Sequence, residues 1–293
     1  MKERRYDNQR GASLIIAIAL LLVMGIISAA FVSMVNTETF ISMNQSGGQQ
    51  TFFIAEGGVE FGQRSLAQNL DWYRSAVDPI LIPATNLGAG SFSANINLPA
   101  TMLRSQVPSG TLGTIRVYTT DRFPANGNLQ IEDDITGGGE FVTYNGTGPT
   151  TFTITARGVS IGGISNGTSP HSRGDVVYPV TTLSVALVNS CTAPASFTIA
   201  THPKFLGAGT VDIEGEEISY TGSTTAGGTT TLTGVTRCQN GTASAAHNLG
   251  RPVTPMLVDT TSPDFEAEVI STGTVGLPIT GNAARVVRKT VQR

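Results

Sequence analysis

Hydrophobic and polar positions alternate along this chain in three regimes. From Ala12 to Val35 every residue is apolar or small, and no charge occurs between Arg10 and Glu38. As a helix that run is roughly 36 Å long at about 1.5 Å per residue, enough to cross a hydrocarbon core of about 30 Å. Residues 36–75 continue with helical spacing: Phe52, Ala55, Val59, Leu66 and Leu70 mark one side. Glu56, Glu60 and Arg64 mark another side, with Glu60 ahead of Arg64 in the favourable order. Gly47-Gly48 interrupts this pattern and predicts a bend or local melting, because each glycine weakens a helix by about 1 kcal/mol relative to alanine. Asp78-Pro79 and Ile82-Pro83 end the helical territory. Beyond them the period changes to two. Phe92, Ala94, Ile96 and Leu98 alternate with Ser91, Ser93, Asn95 and Asn97, which predicts a half-buried strand. Near the far end Phe265, Ala267 and Val269 alternate with Glu266 and Glu268, and a last strand is expected over Arg285 to Val291.

Three readings compete for the apolar run. It fits a plain signal anchor. It fits a cleaved secretory signal, since Ser28-Ala29-Ala30 has the small-residue look of a signal peptidase site. It also fits a signal cut on the cytoplasmic side, after Gly11, with the apolar helix kept as an assembly element. Lys2, Arg4, Arg5 and Arg10 hold the leader in the cytoplasm and direct the rest outward. The run exceeds the ~7–15 residue apolar core of a signal peptide and flows into more helix, which favours the third reading.

The middle of the chain repeats itself. Arg122-Phe123, Gly127, Leu129 and Ile131 match Lys204-Phe205, Gly209, Val211 and Ile213. Gly139-Glu140 and Tyr144 match Gly215-Glu216 and Tyr220; Arg157 matches Arg237; His171 and Gly174 match His247 and Gly250. The order is kept while the offset drifts, so the indels fall in loops. Each copy carries strand signals and Gly-rich turns, the marks of a small β module. Copy 1 is assigned to residues 101–196 and copy 2 to 197–263.

Composition narrows the function. The chain has 293 residues, 40% of them hydrophobic, only 13% charged, with net charge −3. That is long enough for more than one packed unit and not basic enough for nucleic acid to be a main partner. The region after Asn86 is rich in Thr, Val and Gly, a sheet-and-turn composition. Cys191 and Cys238 would pair in an oxidising compartment, closing a loop worth roughly 3–4 kcal/mol of chain entropy. Without C-x-x-C spacing they do not suggest a metal site.

The residues Gln9-Arg10-Gly11, the apolar run and Phe53-Ile54-Ala55-Glu56-Gly57-Gly58-Val59-Glu60 together resemble a type IV prepilin, with PilX-type minor pilins and minor pseudopilins of type II secretion the nearest families. The resemblance covers residues 9–70. It implies cleavage between Gly11 and Ala12 by a prepilin peptidase and methylation of the Ala12 amine. It implies major and minor pilins or pseudopilins as partners, and a single inner-membrane span with a cytoplasmic amino terminus before entry into a filament. Most pilins carry Glu at the fifth residue after the cut, where it pairs with a neighbour's amino terminus; here that residue is Ile16. Subunits lacking this Glu resemble those placed at or near the tip. The fold implied is α+β: leader 1–11, transmembrane part 12–35 and extramembrane part 36–75 of one long helix, packed on an antiparallel pilin-like sheet from 76–100 and 264–293. In that family the two sheet segments follow each other closely, so 101–263 is an insertion carrying the two β modules. The alternatives are a secretion pseudopilin and a surface attachment module that binds a tip adhesin or surface ligand.

Each copy places one Glu, Tyr, Arg and His at matching positions: Glu140, Tyr144, Arg157 and His171, then Glu216, Tyr220, Arg237 and His247. A paired ligand or catalytic site and a structural network are the two readings. The network is favoured, because acid–base catalysis needs converging groups of tuned pKa and no nucleophile motif stands beside them. One His per copy is too few for a His-only metal site, and His202 has no counterpart. No cofactor is expected, and no enzymatic activity.

Overall fold

The computed structural model describes residues 7–68, 74–132, 139–192, 194–256, 266–277 and 281–292. Leu70 and Phe265, both expected to face a core, lie outside these residues. One helix, α1, runs Asp7–Gln68. Its first half stands clear of the described sheets: every residue from Leu14 to Ser42 is exposed. Backbone donors and acceptors are met within the helix, so its side chains alone face the surroundings, and α1 is long and apolar enough to cross a membrane.

The second half lies on a four-stranded antiparallel sheet. Strands β1 (Ile80–Leu87) and β2 (Gly90–Asn97) form a hairpin, and β15 (Glu266–Leu277) and β16 (Gly281–Gln292) form another. Their order is β1-β2-β15-β16, with β2 joined to β15 along its whole length from Gly90↔Val275 to Asn97↔Glu268. Val59 and Leu66 of α1 pack with Ala94, Ile96, Leu98, Ala267, Val269 and Val291 in one apolar core. This helix-and-sheet unit is the stem. The chain is thus of the α+β class, a long apolar N-terminal helix on antiparallel sheets.

Two expectations for α1 are corrected. The helix does not break at Gly47-Gly48. Gly47 is buried against the Leu277 side chain, and Gly58 sits where any Cβ would collide with Ser271 and Phe92. Opposite them, Gly273 of β15 lies against the Thr51 carbonyl and Ala55 backbone. The glycines serve close approach of helix and sheet, and that packing outweighs their poor helix propensity. Phe52 is exposed; the buried stripe is Thr51, Ile54, Ala55, Gly58, Val59, Gly62 and Leu66. Glu60 lies 3.5 Å from Lys289 of β16, an exposed pair.

The described strands between β2 and β15 form a head. Its first strands are β3 (Thr101–Met102), β4 (Gly113–Arg116), β5 (Gly127–Ile131), β6 (Glu140–Gly148), β7 (Thr151–Arg157) and β8 (Val176–Thr182). There follow β9 (Ser196–Ala200), β10 (Gly209–Ile213), β11 (Glu216–Tyr220), β12 (Gly222–Ala226), β13 (Thr229–Thr233) and β14 (Pro252–Pro255). One sheet runs β11-β10-β14-β8-β5-β6-β7-β4, with β3 added on β8; a second runs β12-β13-β9. The order β4-β7-β6-β5-β8 in the first half is met again as β9-β13-β12, then β11-β10-β14, with β11 and β12 separated only by Thr221. The two halves meet edge to edge where Thr181 and Thr182 of β8 pair with Val253 and Pro252 of β14. Each half has its own core, one around Leu129, Phe152 and Val177, the other around Ile199, Ile218 and Val253.

Candidate functional site

Glu140 opens β6 and Arg157 closes β7, and the antiparallel pairing of these strands brings them side by side. Arg157 donates from Nε to Glu140 Oε1 at 2.8 Å and from Nη2 to Oε2 at 2.5 Å. Its Nη1 reaches the Pro108 carbonyl and its Nη2 the Ser169 carbonyl, both at 2.5 Å. His171 Nε2 lies 2.9 Å from Glu140 Oε2, and the Ser169 and Gly158 N–H groups donate to the same carboxylate. Burial pushes the Glu140 carboxyl up, but hydrogen bonds from His171, Arg157 and Ser169 outweigh it and hold the group at about 2.

The second half repeats the arrangement almost atom for atom. Arg237 donates to Glu216 from Nε at 2.8 Å and Nη2 at 2.6 Å, and to the carbonyls of Val188 and Ala245. The Ala245 N–H and His247 Nε2 complete the Glu216 shell. Against the opposing effect of burial, Arg237, His247 and Ala245 keep this carboxyl below its usual range. Tyr144 and Tyr220 stand apart from these clusters. Their hydroxyls donate to the Pro124 and Leu206 carbonyls at 3.1 and 3.0 Å, and burial raises both.

Of the four matched residue types, three therefore converge in each half and the tyrosine does not. Each arginine fastens two loop carbonyls to a buried carboxylate, and the carboxylate oxygens are occupied by donors. The arrangement is suited to holding loops in position. The halves differ around the histidine: His247 Nδ1 meets Glu214 at 2.8 Å, and Arg251 adds to Glu214, whereas His171 Nδ1 is 3.5 Å from Asp175. They differ also in the bridge between Cys191 and Cys238, whose Cα atoms are 5.6 Å apart. Cys238 has φ 59°, and the matching position in the first half is Gly158 with φ 58°.

Sequence reasoning missed the joint between stem and head. Lys204, Asp78 and the Leu98 carbonyl meet there in full burial, with the Phe123 ring 4.9 Å from Lys204 Nζ. Arg122 Nη1 is 3.4 Å from both Asp78 oxygens, and its Nη2 donates to the Pro203 carbonyl. Beside it Glu266 accepts from the N–H and hydroxyl of Thr210, and Glu268 from Gly207 N–H and Asn97. Glu266 and Glu268 alternate with Ala267 and Val269 as a solvent face would. They are nonetheless 2% and 5% exposed, because the head covers that side of the sheet. The match of Arg122-Phe123 to Lys204-Phe205 was the one available signal. His202 packs against Phe123 and Phe205, and burial, with Lys204 and Arg122 nearby, lowers it to about 3.

Gly11 and Ala12 lie within α1, and Ile16 is exposed on it. A cavity of about 440 Å³ between the halves is lined by Gln130, Glu132, Tyr178, Asp212, Glu214 and Thr254 among others, and by none of the eight matched residues. Among the described residues no group of His, Cys, Asp or Glu is placed to hold a metal ion. No protein-family model matches the chain, and no curated protein or solved structure matches it.

Proposed function

We propose that this chain is a minor pilin acting at or near the tip of a type IV pilus, where it primes or caps the filament and displays its β-rich head. The observation that carries this reading is the division of α1. One half is buried on a sheet, while the other is exposed and, from Leu14 to Val35, carries no charge and is mostly apolar. Such a surface needs lipid or neighbouring helices around it. In the membrane, association rests on close packing, since apolar contact gives no advantage there. In the filament the same face becomes the fibre core. A minor pseudopilin of a secretion system shares all these features.

Tip placement rests on Ile16. A neighbour's amino terminus left without a carboxylate in an apolar core is costly, and a subunit with no neighbour on that side avoids the cost. The two halves of the head are proposed to be duplicated modules. Because Thr181-Thr182 pairs with β14 as Thr101-Met102 pairs with β8, the repeat units are better drawn as 101–180 and 181–256. The head's role is display and not catalysis, with its polar clusters holding loops.

The deciding measurement is amino-terminal mass spectrometry of the mature protein. A methylated Ala12 is expected when a prepilin peptidase is present. A start at Phe31 would mean an ordinary secreted protein and end the proposal. For placement, wild-type protein spread along filament shafts would exclude the tip, while Ile16→Glu moving it into shafts would support it.

A further inference from the structure

We propose that Asp78 and Lys204 condense into an amide, so that the chain itself forms a covalent cross-link between stem and head. The two residues are 126 positions apart in sequence, and both side chains are wholly inaccessible, with Lys204 Nζ in direct contact with Asp78 Oδ2. The electrophile is held in place: Leu98 N–H donates to Asp78 Oδ1 at 3.0 Å, and Arg122 Nη1 is 3.4 Å from both oxygens. The nucleophile is held too, by the Leu98 carbonyl at 3.3 Å and the face of Phe123. Burial drives the Lys204 ammonium toward neutral amine, down to about 8 despite the pull of Asp78. His202, next to it, stays uncharged at neutral pH.

In the contact pair, one proton passes from the ammonium to the carboxylate, leaving amine and carboxylic acid. The Nζ lone pair then attacks Cγ. Negative charge develops on Oδ1, where the Leu98 N–H and the Arg122 guanidinium already point; such fixed donors stabilise a tetrahedral intermediate. The Nζ–Cγ bond forms, the Cγ–Oδ2 bond breaks, and Oδ2 leaves as water with one of the Nζ hydrogens. No oxidant or cofactor takes part. Fixed proximity supplies what free amine and acid lack. The product ties the segment before β1 to the loop before β10, so tension between helix and head is borne by a covalent bond. This inference stands on the joint alone and does not depend on the filament reading.

The test is intact-mass spectrometry of the purified full chain, reduced and denatured after incubation near the Lys204 value of about 8, with the amino terminus read in the same experiment. The expected wild-type mass is lower than the sequence mass by one water, and fragmentation yields a branched peptide joining Asp78 to Lys204. Lys204→Arg keeps the charge and should show full mass. Asp78→Asn should lose ammonia instead of water, because the leaving group changes. A wild-type chain of full mass, with Lys204 completely labelled by an amine reagent in denaturant, would show a plain buried ion pair and overturn the proposal.

Discussion

Arg157 holds Glu140 by two parallel hydrogen bonds of 2.8 and 2.5 Å in a place where neither side chain meets appreciable solvent. Removing Arg157 leaves the buried Glu140 carboxylate with only His171 and the Ser169 and Gly158 N–H groups, and leaves the Pro108 and Ser169 carbonyls without their donor. Arg157→Ala should therefore destabilise the head by about 3–5 kcal/mol, and Arg237→Ala should do the same in the second half. Arg157→Lys, which keeps the charge but not the paired geometry, should cost less than Arg157→Ala. Urea denaturation of the full chain in detergent, followed by Tyr fluorescence, measures this; an Arg157→Ala chain as stable as the wild type would contradict it.

Acid should loosen the head in two overlapping windows. His202 is held at about 3 in the fold against an ordinary 6.5, so it stays neutral while the unfolded chain binds a proton. Stability from this source is full above about 6.5 and is lost as pH falls toward 3. Glu140 is held at about 2 against 4.5, so its contribution is present above 4.5 and is lost as pH falls toward 2. Melting temperature measured across pH should decline in both ranges. His202→Phe, if folded, should flatten only the upper one.

Two glycines ten positions apart on α1 should respond in opposite directions. Gly48 has open space where a Cβ would go, so Gly48→Ala should stabilise the stem by about 0.5–1 kcal/mol through helix propensity. Gly58 faces Ser271 and Phe92 at close quarters, so Gly58→Ala should cost about 1–3 kcal/mol through overpacking. Thermal unfolding of the two variants gives the comparison directly.

The bridge between Cys191 and Cys238 closes a loop of 47 residues and should contribute about 3–4 kcal/mol to the second half. Cys238 is also a non-glycine residue in the left-handed region. Paired with Cys191→Ser, Cys238→Gly should be milder than Cys238→Ala, by about 1 kcal/mol. Proteolysis near residues 188–192 in each double variant reports the local loosening.

The sequence determined what depends on a residue and its near neighbours. An uninterrupted apolar run makes a long helix, and strict alternation from Phe92 to Leu98 places one face of a strand inward, because local periodicity alone decides which side chains share a surface. The matched Glu140, Arg157 and His171, and their counterparts Glu216, Arg237 and His247, were visible as repeated spacing. Their hydrogen-bonded convergence was not. Only the tertiary structure decided that Gly47 and Gly58 serve helix–sheet contact, that Glu266 and Glu268 lie beneath the head, and that Asp78 meets Lys204. The reason is physical: in each case the partner comes from a distant segment. A polar or glycine residue reads as loop or solvent face until the group that satisfies or crowds it arrives.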